Sequence, residues 1–305
     1  MPPLNFFIEP LPPFRLDLTV WALRRRSNNG MDRWDGRAYR RALILDGVNL
    51  EVNVEQTGPA ETPQLRITLN GNSKVPRVAP AVTNALQRLL GLSVDLSAFY
   101  RFASDDAALA PLVQRFRGFK PPRFPNLFET LVNGIACQQV TLTLGILLLN
   151  RLAEHFGPAA THGGAHAFPQ PEHLAGRNTA DLRPLGFSRQ KAQAIIELAD
   201  AIAAGRMDLH GLEMLNDGEV VEGLSRLRGI GRWTAEYALL RGLGRLHVFP
   251  GDDVGARKNL QRWLALSEPL DYAGVRRTIE RWQPYAGLVY FHLLLKRLAE
   301  SGYLT

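Results

Sequence analysis

Cysteine is almost absent: Cys137 stands alone in a chain of 305 residues. A lone thiol excludes an internal disulfide, a cysteine zinc site and a cysteine-ligated iron–sulfur cluster, and suits a reducing, cytoplasmic-type compartment. Lysine is scarce as well. Only five of the 36 basic residues are lysines (Lys74, Lys120, Lys191, Lys258 and Lys296), so arginine carries nearly all the positive charge. Long apolar runs are missing: the longest, Leu142–Leu149, is interrupted by Thr143 and falls far short of the ~20 residues a membrane span needs. No basic cluster precedes an apolar stretch at the N-terminus, so neither a secretory leader nor a membrane partner is expected.

What is present is ordinary globular composition, 46% hydrophobic and 21% charged, over a length that exceeds one common core. Two or three packed units are therefore expected. The net charge of +7 points to a polyanionic partner, and guanidinium groups suit bidentate phosphate contacts. An arginine skew can equally reflect genomic base composition.

The first hundred residues read as α+β. Phe14 to Arg26 is either a short strand or the entry to a helix. Val48, Leu50, Val52 and Val54 alternate with polar residues, the period of a half-buried strand, and Asp46-Gly47 just before them is a hairpin turn signal. Leu65, Ile67 and Leu69 alternate again after a loop over 58–63, and Pro80 to Leu90 turns helical. Beyond about residue 105 the strand signal disappears. Asn126 with Glu129 resembles a capping box, and the apolar run from Leu142 to Phe156 should end at Gly157 as a C-capped helix. Further helices are expected over 188–204, 218–227, 234–241, 254–266, 272–282 and 288–301. His162 and His166 have metal-like spacing but no further ligand nearby, so a solvated loop is the better reading. The division that follows is an N-terminal antiparallel sheet with helices over 1–104, then an all-helical region of two lobes over 105–305.

The most informative stretch is Leu227-Arg228-Gly229-Ile230-Gly231-Arg232-Trp233-Thr234-Ala235. Two glycines around one aliphatic residue, between two amphipathic helices, make a tight turn at a helix N-terminus. Its amides and the helix dipole suit a phosphate oxygen, and the glycines allow close approach of a DNA strand. An unliganded elbow has the same pattern. About twenty residues on comes Val248-Phe249-Pro250-Gly251-Asp252-Asp253-Val254.

Together these segments resemble the helix-hairpin-helix–Gly/Pro–Asp superfamily of DNA glycosylases, and within it the AlkA-type 3-methyladenine DNA glycosylase II subfamily. Ile135-Ala136-Cys137-Gln138-Gln139-Val140-Thr141 is similar to the family's Ile-x-x-Gln-Gln-Val-Ser segment, and Arg281-Trp282-x-Pro284-Tyr285 to its Arg-Trp-x-Pro-Trp. Leu182-x-x-Leu185-Gly186-Phe187-Ser188-x-x-Lys191-Ala192 resembles its preceding helix pair. The likeness spans roughly residues 105–300, with the hairpin over 224–240 and the aspartate loop over 248–254. It implies excision of alkylated bases such as 3-methyladenine and 7-methylguanine from double-stranded DNA by a monomer with no organic cofactor or iron–sulfur cluster.

The resemblance also implies roles. Asp253 would stabilise positive charge on the sugar as the base departs, while Asp252 would cap the following helix. Trp233, Tyr237 and, from the N-terminal unit, Trp21 would stack on a flipped cationic purine, with Gln138 supporting the pocket. Gln139 would fill the gap left by the flipped base. Gly229, Ile230, Gly231, Arg232, Thr234, Arg257 and Lys258 would meet the DNA backbone, and the carbonyls of Leu227 and Ile230 could hold a monovalent cation. Trp263 and Trp282 read as core. Bifunctional relatives carry a lysine where Trp233 stands, so a monofunctional enzyme is expected. Leu294 stands where the family often has a tryptophan, which would widen the pocket. Two rival readings remain at this stage, a non-enzymatic DNA-binding protein and an oxidised-purine glycosylase.

Overall fold

The computed structural model describes residues 3–70, 75–160 and 164–304; His162 and Lys74 lie outside the described residues. Five strands, β1 (Leu4–Ile8), β2 (Arg33–Trp34), β3 (Ala38–Leu45), β4 (Val48–Gln56) and β5 (Leu65–Asn70), form one antiparallel sheet in the order β1-β5-β4-β3-β2. At the β3–β4 turn, Leu45 pairs with Val48 around Asp46 (φ 49°) and Gly47 (φ 71°). Positive φ at both central residues is the geometry that matches strand twist, which is why Asp-Gly marks the turn. Leu50, Val52 and Val54 face the core, as their spacing demands. Glu51 breaks the pattern: it is buried too, and the Arg33 guanidinium pairs with it.

The segment with two readings, Phe14 to Arg26, resolves as helix α1 (Leu16–Arg24), buried on nearly every face between the sheet and the helical region. α2 (Val75–Leu90) covers the sheet with Val78, Val82, Leu86 and Leu89. α3 (Ser97–Ser104) and α4 (Leu109–Arg115) lead into α5 (Leu127–Cys137) and α6 (Leu142–Phe156). Short helices α7 (Pro171–Leu174) and α8 (Thr179–Leu182) precede α9 (Arg189–Ala203), α10 (Asp217–Ser225), α11 (Arg232–Arg241), α12 (Val254–Trp263), α13 (Tyr272–Ile279) and α14 (Ala286–Glu300). Strands β1, β2 and β3 had no clear sequence signal.

Two cap readings change. Asn126 does accept the Glu129 N–H at 2.8 Å. The Glu129 carboxylate, however, does not reach back; it is buried against the Arg41 guanidinium, whose other arm meets Asp32 at 2.6 Å. That buried ion triad ties β3 to α5. Gly157 ends α6 with φ −78°, so left-handed freedom is not its use. A Cβ there would lie 1.9 Å from the Ala167 carbonyl oxygen, so glycine is required by the close return of the following loop. In that loop the His166 Nδ1–H donates to the Gly157 carbonyl at 2.8 Å, as a structural loop residue would.

Three apolar cores result. One joins the sheet to α1 and α2, a second lies among α5, α6, α9 and α10, and a third among α3, α4, α12, α13 and α14. The two helical lobes are thus the second and third cores. α11 belongs to all three: Ala235, Ala238 and Leu239 enter the second, Leu240 the third, and Tyr237 the sheet core. From Thr234 to Arg241 every residue of this helix is buried, the polar Thr234, Glu236 and Arg241 included, so α11 is enclosed despite its mixed composition.

Candidate active site

The hairpin between α10 and α11 separates the duties of its two glycines. Gly229 has φ +75°, and a Cβ there would sit 2.8 Å from the Ala194 side chain on α9. Gly231 has an extended backbone, and nothing lies within 4 Å of its would-be Cβ. Ile230, 4% exposed, is packed in the joint between helices, so its side chain is withheld from DNA, and its N–H closes the turn onto the Leu227 carbonyl at 3.2 Å.

Gln138 and Thr234 do not behave as expected. The Gln138 amide donates to the Gly229 carbonyl (2.7 Å) and to the Thr234 hydroxyl (2.9 Å). It therefore braces the hairpin against the α5–α6 turn, and its amide nitrogen is committed to that brace instead of to a pocket. Thr234 is buried beneath Gly134, whose missing side chain makes the room, so its side chain cannot meet DNA. Gln139 is exposed and holds φ +52°, a conformation a side-chain-bearing residue adopts at a cost. The structure thus presents this side chain outward at the tip of the turn.

Asp253 is the N-cap of α12. Its Oδ1 accepts the Ala256 N–H at 2.8 Å, and its Oδ2 accepts the Tyr290 hydroxyl of α14 at 3.2 Å. The capping role assigned to Asp252 is therefore wrong. Asp252 instead pairs with Arg232 at 2.7 Å, because the carboxylate that lies three residues before Ala256 is the one within reach of its N–H. Tyr290 escaped the sequence reading, having no signal beyond a tyrosine on a helix. Burial first, and the Asp253 charge second, hold its phenol well above the usual range, so it stays a protonated donor.

Trp233 and Tyr237 stack at 5.5 Å with 29° between their planes. Tyr237 is fully enclosed: its hydroxyl accepts from Arg25 (3.0 Å) and donates to Asn133 (3.2 Å), and Arg25 also donates to Asn133 at 2.9 Å. Burial raises the Tyr237 pKa, Arg25 and Arg241 oppose it, and Cys137 and Asp253 add to it. Arg25, unforeseen, is buried with φ +61°. Burial works against its charge, but Tyr237, Cys137 and Tyr290 together outweigh that and raise its pKa. Trp233 is half-buried, and its indole N–H is enclosed without a partner.

Trp21 does not join these rings. It packs 4.9 Å from Tyr303 with the Arg24 guanidinium over its face, within the third core. Trp282 is fully buried, donates to Asp106 at 2.8 Å and packs on Trp263, a core pair as read from sequence. Leu294 is half-buried against the same core.

Arg232 pairs with Asp252 and lies over the Tyr272 ring, 3.7 Å from its guanidinium carbon, with its side chain still half-exposed. Arg257 and Lys258, on the first turns of α12, make no ion pair among the described residues and remain available. Among the described residues no cluster of His, Cys, Asp or Glu could hold a metal, and no helix is long and apolar enough to cross a membrane. A cavity of about 690 Å³ opens elsewhere, between Leu96, Phe99, His247 and Tyr285. It shares no residue with the Asp253 site, and the convergence of carboxylate, rings and hairpin outweighs its size.

Comparison with known proteins adds the following. Residues 132–284 match the HhH-GPD superfamily base excision DNA repair protein family, and residues 8–126 match the AlkA N-terminal domain. The chain is 31% identical to DNA-3-methyladenine glycosylase of Bacillus subtilis over 211 residues, 67% of this chain and 69% of that one. It is 31% identical to DNA-3-methyladenine glycosylase 2 of Escherichia coli over 192 residues, 62% of this chain and 64% of that one. The solved 3-methyladenine DNA-glycosylase from Archaeoglobus fulgidus superposes with a TM-score of 0.83 at 28% identity, covering 95% of this chain and 97% of that one.

Proposed function

The chain belongs to the HhH-GPD superfamily of base excision DNA repair proteins, and from that premise we propose that it is a monofunctional DNA glycosylase acting on alkylated bases in double-stranded DNA. The observation that carries the reading is the Asp253 carboxylate, presented at the start of α12 and oriented by the Tyr290 hydroxyl, with the Trp233–Tyr237 stack on the helix that the hairpin opens.

The chemistry follows from that arrangement. Breaking an N-glycosidic bond moves positive charge from the base to the sugar, and a fixed carboxylate stabilises the charge where it develops. The Ala256 N–H and the Tyr290 hydroxyl hold Asp253 in one orientation, so little reorganisation is needed as the bond stretches. The Trp233 face offers stacking and cation–π attraction to a flipped purine that bears a charge, as 3-methyladenine and 7-methylguanine do. Such bases leave without protonation, which fits a site with one carboxylate and no facing acid. Gln139 at its strained turn fits the space a flipped base vacates. Gly231, Arg257 and Lys258 line up with phosphate recognition, which is indifferent to sequence.

Water, not an amine, is the nucleophile in this reading, because Trp233 occupies the position an attacking lysine would need. The product is an intact abasic site. No organic cofactor is required, and a monovalent cation at the carbonyls of Leu227 and Ile230 would only brace the hairpin. We place the enzyme in the cytoplasm as a monomer, in keeping with its single cysteine.

The test is a base-release assay over duplexes that each carry one lesion. Release of 3-methyladenine and 7-methylguanine is expected. Release of 8-oxoguanine alone, or binding without release of any base, would overturn the reading in favour of an oxidised-purine enzyme or a non-enzymatic binder.

A further inference from the structure

Glu236 lies on α11 between Trp233 and Tyr237 but its carboxylate reaches a different neighbour, the loop that carries the aspartates. It is 7% exposed. One carboxylate oxygen accepts the Gly251 N–H at 3.0 Å and the other accepts the Tyr272 hydroxyl at 2.6 Å. Tyr272 in turn lies against Gly251 so closely that a Cβ on residue 251 would be 2.7 Å from the ring. The Tyr272 ring also carries the Arg232 guanidinium, which is paired with Asp252. Residues 251 and 252 are thus gripped from three directions by side chains that start on α11 and α13. Asp253 follows immediately, its own N–H tied to the Pro250 carbonyl at 3.0 Å.

A buried carboxylate is expensive, and burial does push the Glu236 pKa up, against the two bonds that favour its charged form. Packing alone would be served better by leucine or methionine at this site. What a carboxylate supplies, and an apolar side chain cannot, is an acceptor for a loop N–H and a second acceptor for Tyr272. We propose that Glu236 is a positioning residue: with Tyr272 it fixes the turn over 250–253 so that the Asp253 carboxylate is held in one place relative to the ring stack on the same helix. The inference rests on the reading of Asp253 as the group that stabilises the sugar charge.

Glu236→Ala, Glu236→Gln and Tyr272→Phe separate this role from a merely structural one. Single-turnover base release at saturating enzyme reads positioning, and affinity for a duplex containing a stable abasic analogue reads DNA binding. Glu236→Ala should slow release by about 100-fold, the cost of a misplacement near 1 Å, while affinity stays within about three-fold. Glu236→Gln can accept from Gly251 and donate to Tyr272, and should recover most of the rate. Tyr272→Phe should give an intermediate loss, and serves if Glu236→Ala does not fold. Equal falls in release and affinity, or full release by Glu236→Ala, would overturn the inference. Hydrogen exchange at the Gly251 amide reads the same grip without catalysis: protection in the parent and in Glu236→Gln, lost in Glu236→Ala, is expected. A parent that releases no base from the lesion panel contradicts the proposed function alone, since the amide measurement still decides whether Glu236 holds the loop.

Discussion

The Tyr290 hydroxyl meets the Asp253 carboxylate at 3.2 Å, joining the middle of α14 to the first residue before α12. Since Oδ1 is already taken by the Ala256 N–H, both oxygens of Asp253 are oriented by the protein. An aspartate fixed in this way can serve charge that appears only in the transition state.

Asp253→Asn should therefore abolish base release while changing affinity for lesion DNA only a few-fold. Asparagine caps helices as well as aspartate, so the melting temperature should barely move. Turnover within about ten-fold of the parent would sink the assignment. Asp252→Asn should cost much less, and through a different cause: it weakens a half-exposed pair with Arg232, worth at most about 1 kcal/mol, with no cap at stake.

The two hairpin glycines should fail differently. Gly229→Ala forces a side chain into a left-handed backbone and onto Ala194, and should destabilise the fold by about 1–3 kcal/mol in a urea titration. Gly231→Ala meets no protein atom. It should leave stability unchanged and weaken binding to damaged and undamaged duplexes alike, because the methyl group occupies space that a phosphate needs. Loss confined to one lesion would place Gly231 in the base pocket instead.

Borohydride should trap no covalent adduct on lesion DNA, and the strand should stay whole until alkali is added. Lys191 reaches the α5–α6 turn, where its ammonium is held by the Ala136 and Gln138 carbonyls at 2.9 and 2.7 Å. Lys258 stands on the exposed side of α12. An adduct in the parent would overturn the monofunctional reading.

His292 gives the fold an acid-sensitive point. Burial among Phe99, Phe116 and Phe119 lowers its pKa from 6.5 to about 4. Between those values the unfolded chain binds a proton that the folded chain refuses, so stability falls as pH drops through that window. The loss should reach about 3 kcal/mol by pH 4, and His292→Phe should flatten that limb in urea titrations across the range.

Much of this molecule was legible from local pattern. Asp46-Gly47 announced its turn, Leu142 to Phe156 gave a helix to the residue, and the Gly-Ile-Gly stretch marked the tight turn between α10 and α11. What escaped is what depends on distant partners. Arg25 acquires its role from Tyr237, 212 residues away, and Arg41 from Glu129, 88 away. No local spacing records such a pairing. The two aspartates were misassigned as to capping because adjacent residues of one type differ only in where the backbone aims them. Trp21 was drawn toward the stack by its chemistry, and packing sent it to Tyr303.

The ten residues of α11 begin at the hairpin and carry the ring stack, with Glu236 between. A helix rises about 1.5 Å per residue, so Tyr237 stands roughly 9 Å beyond Gly231 along a rod that three cores keep straight. That rod works as a gauge. On the proposed reading, the depth at which a base would meet the rings, measured from a backbone held by the hairpin, is set by counting residues along this helix. Lengthening α11 by a single residue would turn every group beyond the insertion by about 100° and misdirect Trp233, Glu236 and Tyr237 together. In that reading the register of α11 matters as much as its composition, since the spacing from hairpin to rings is matched to one nucleotide.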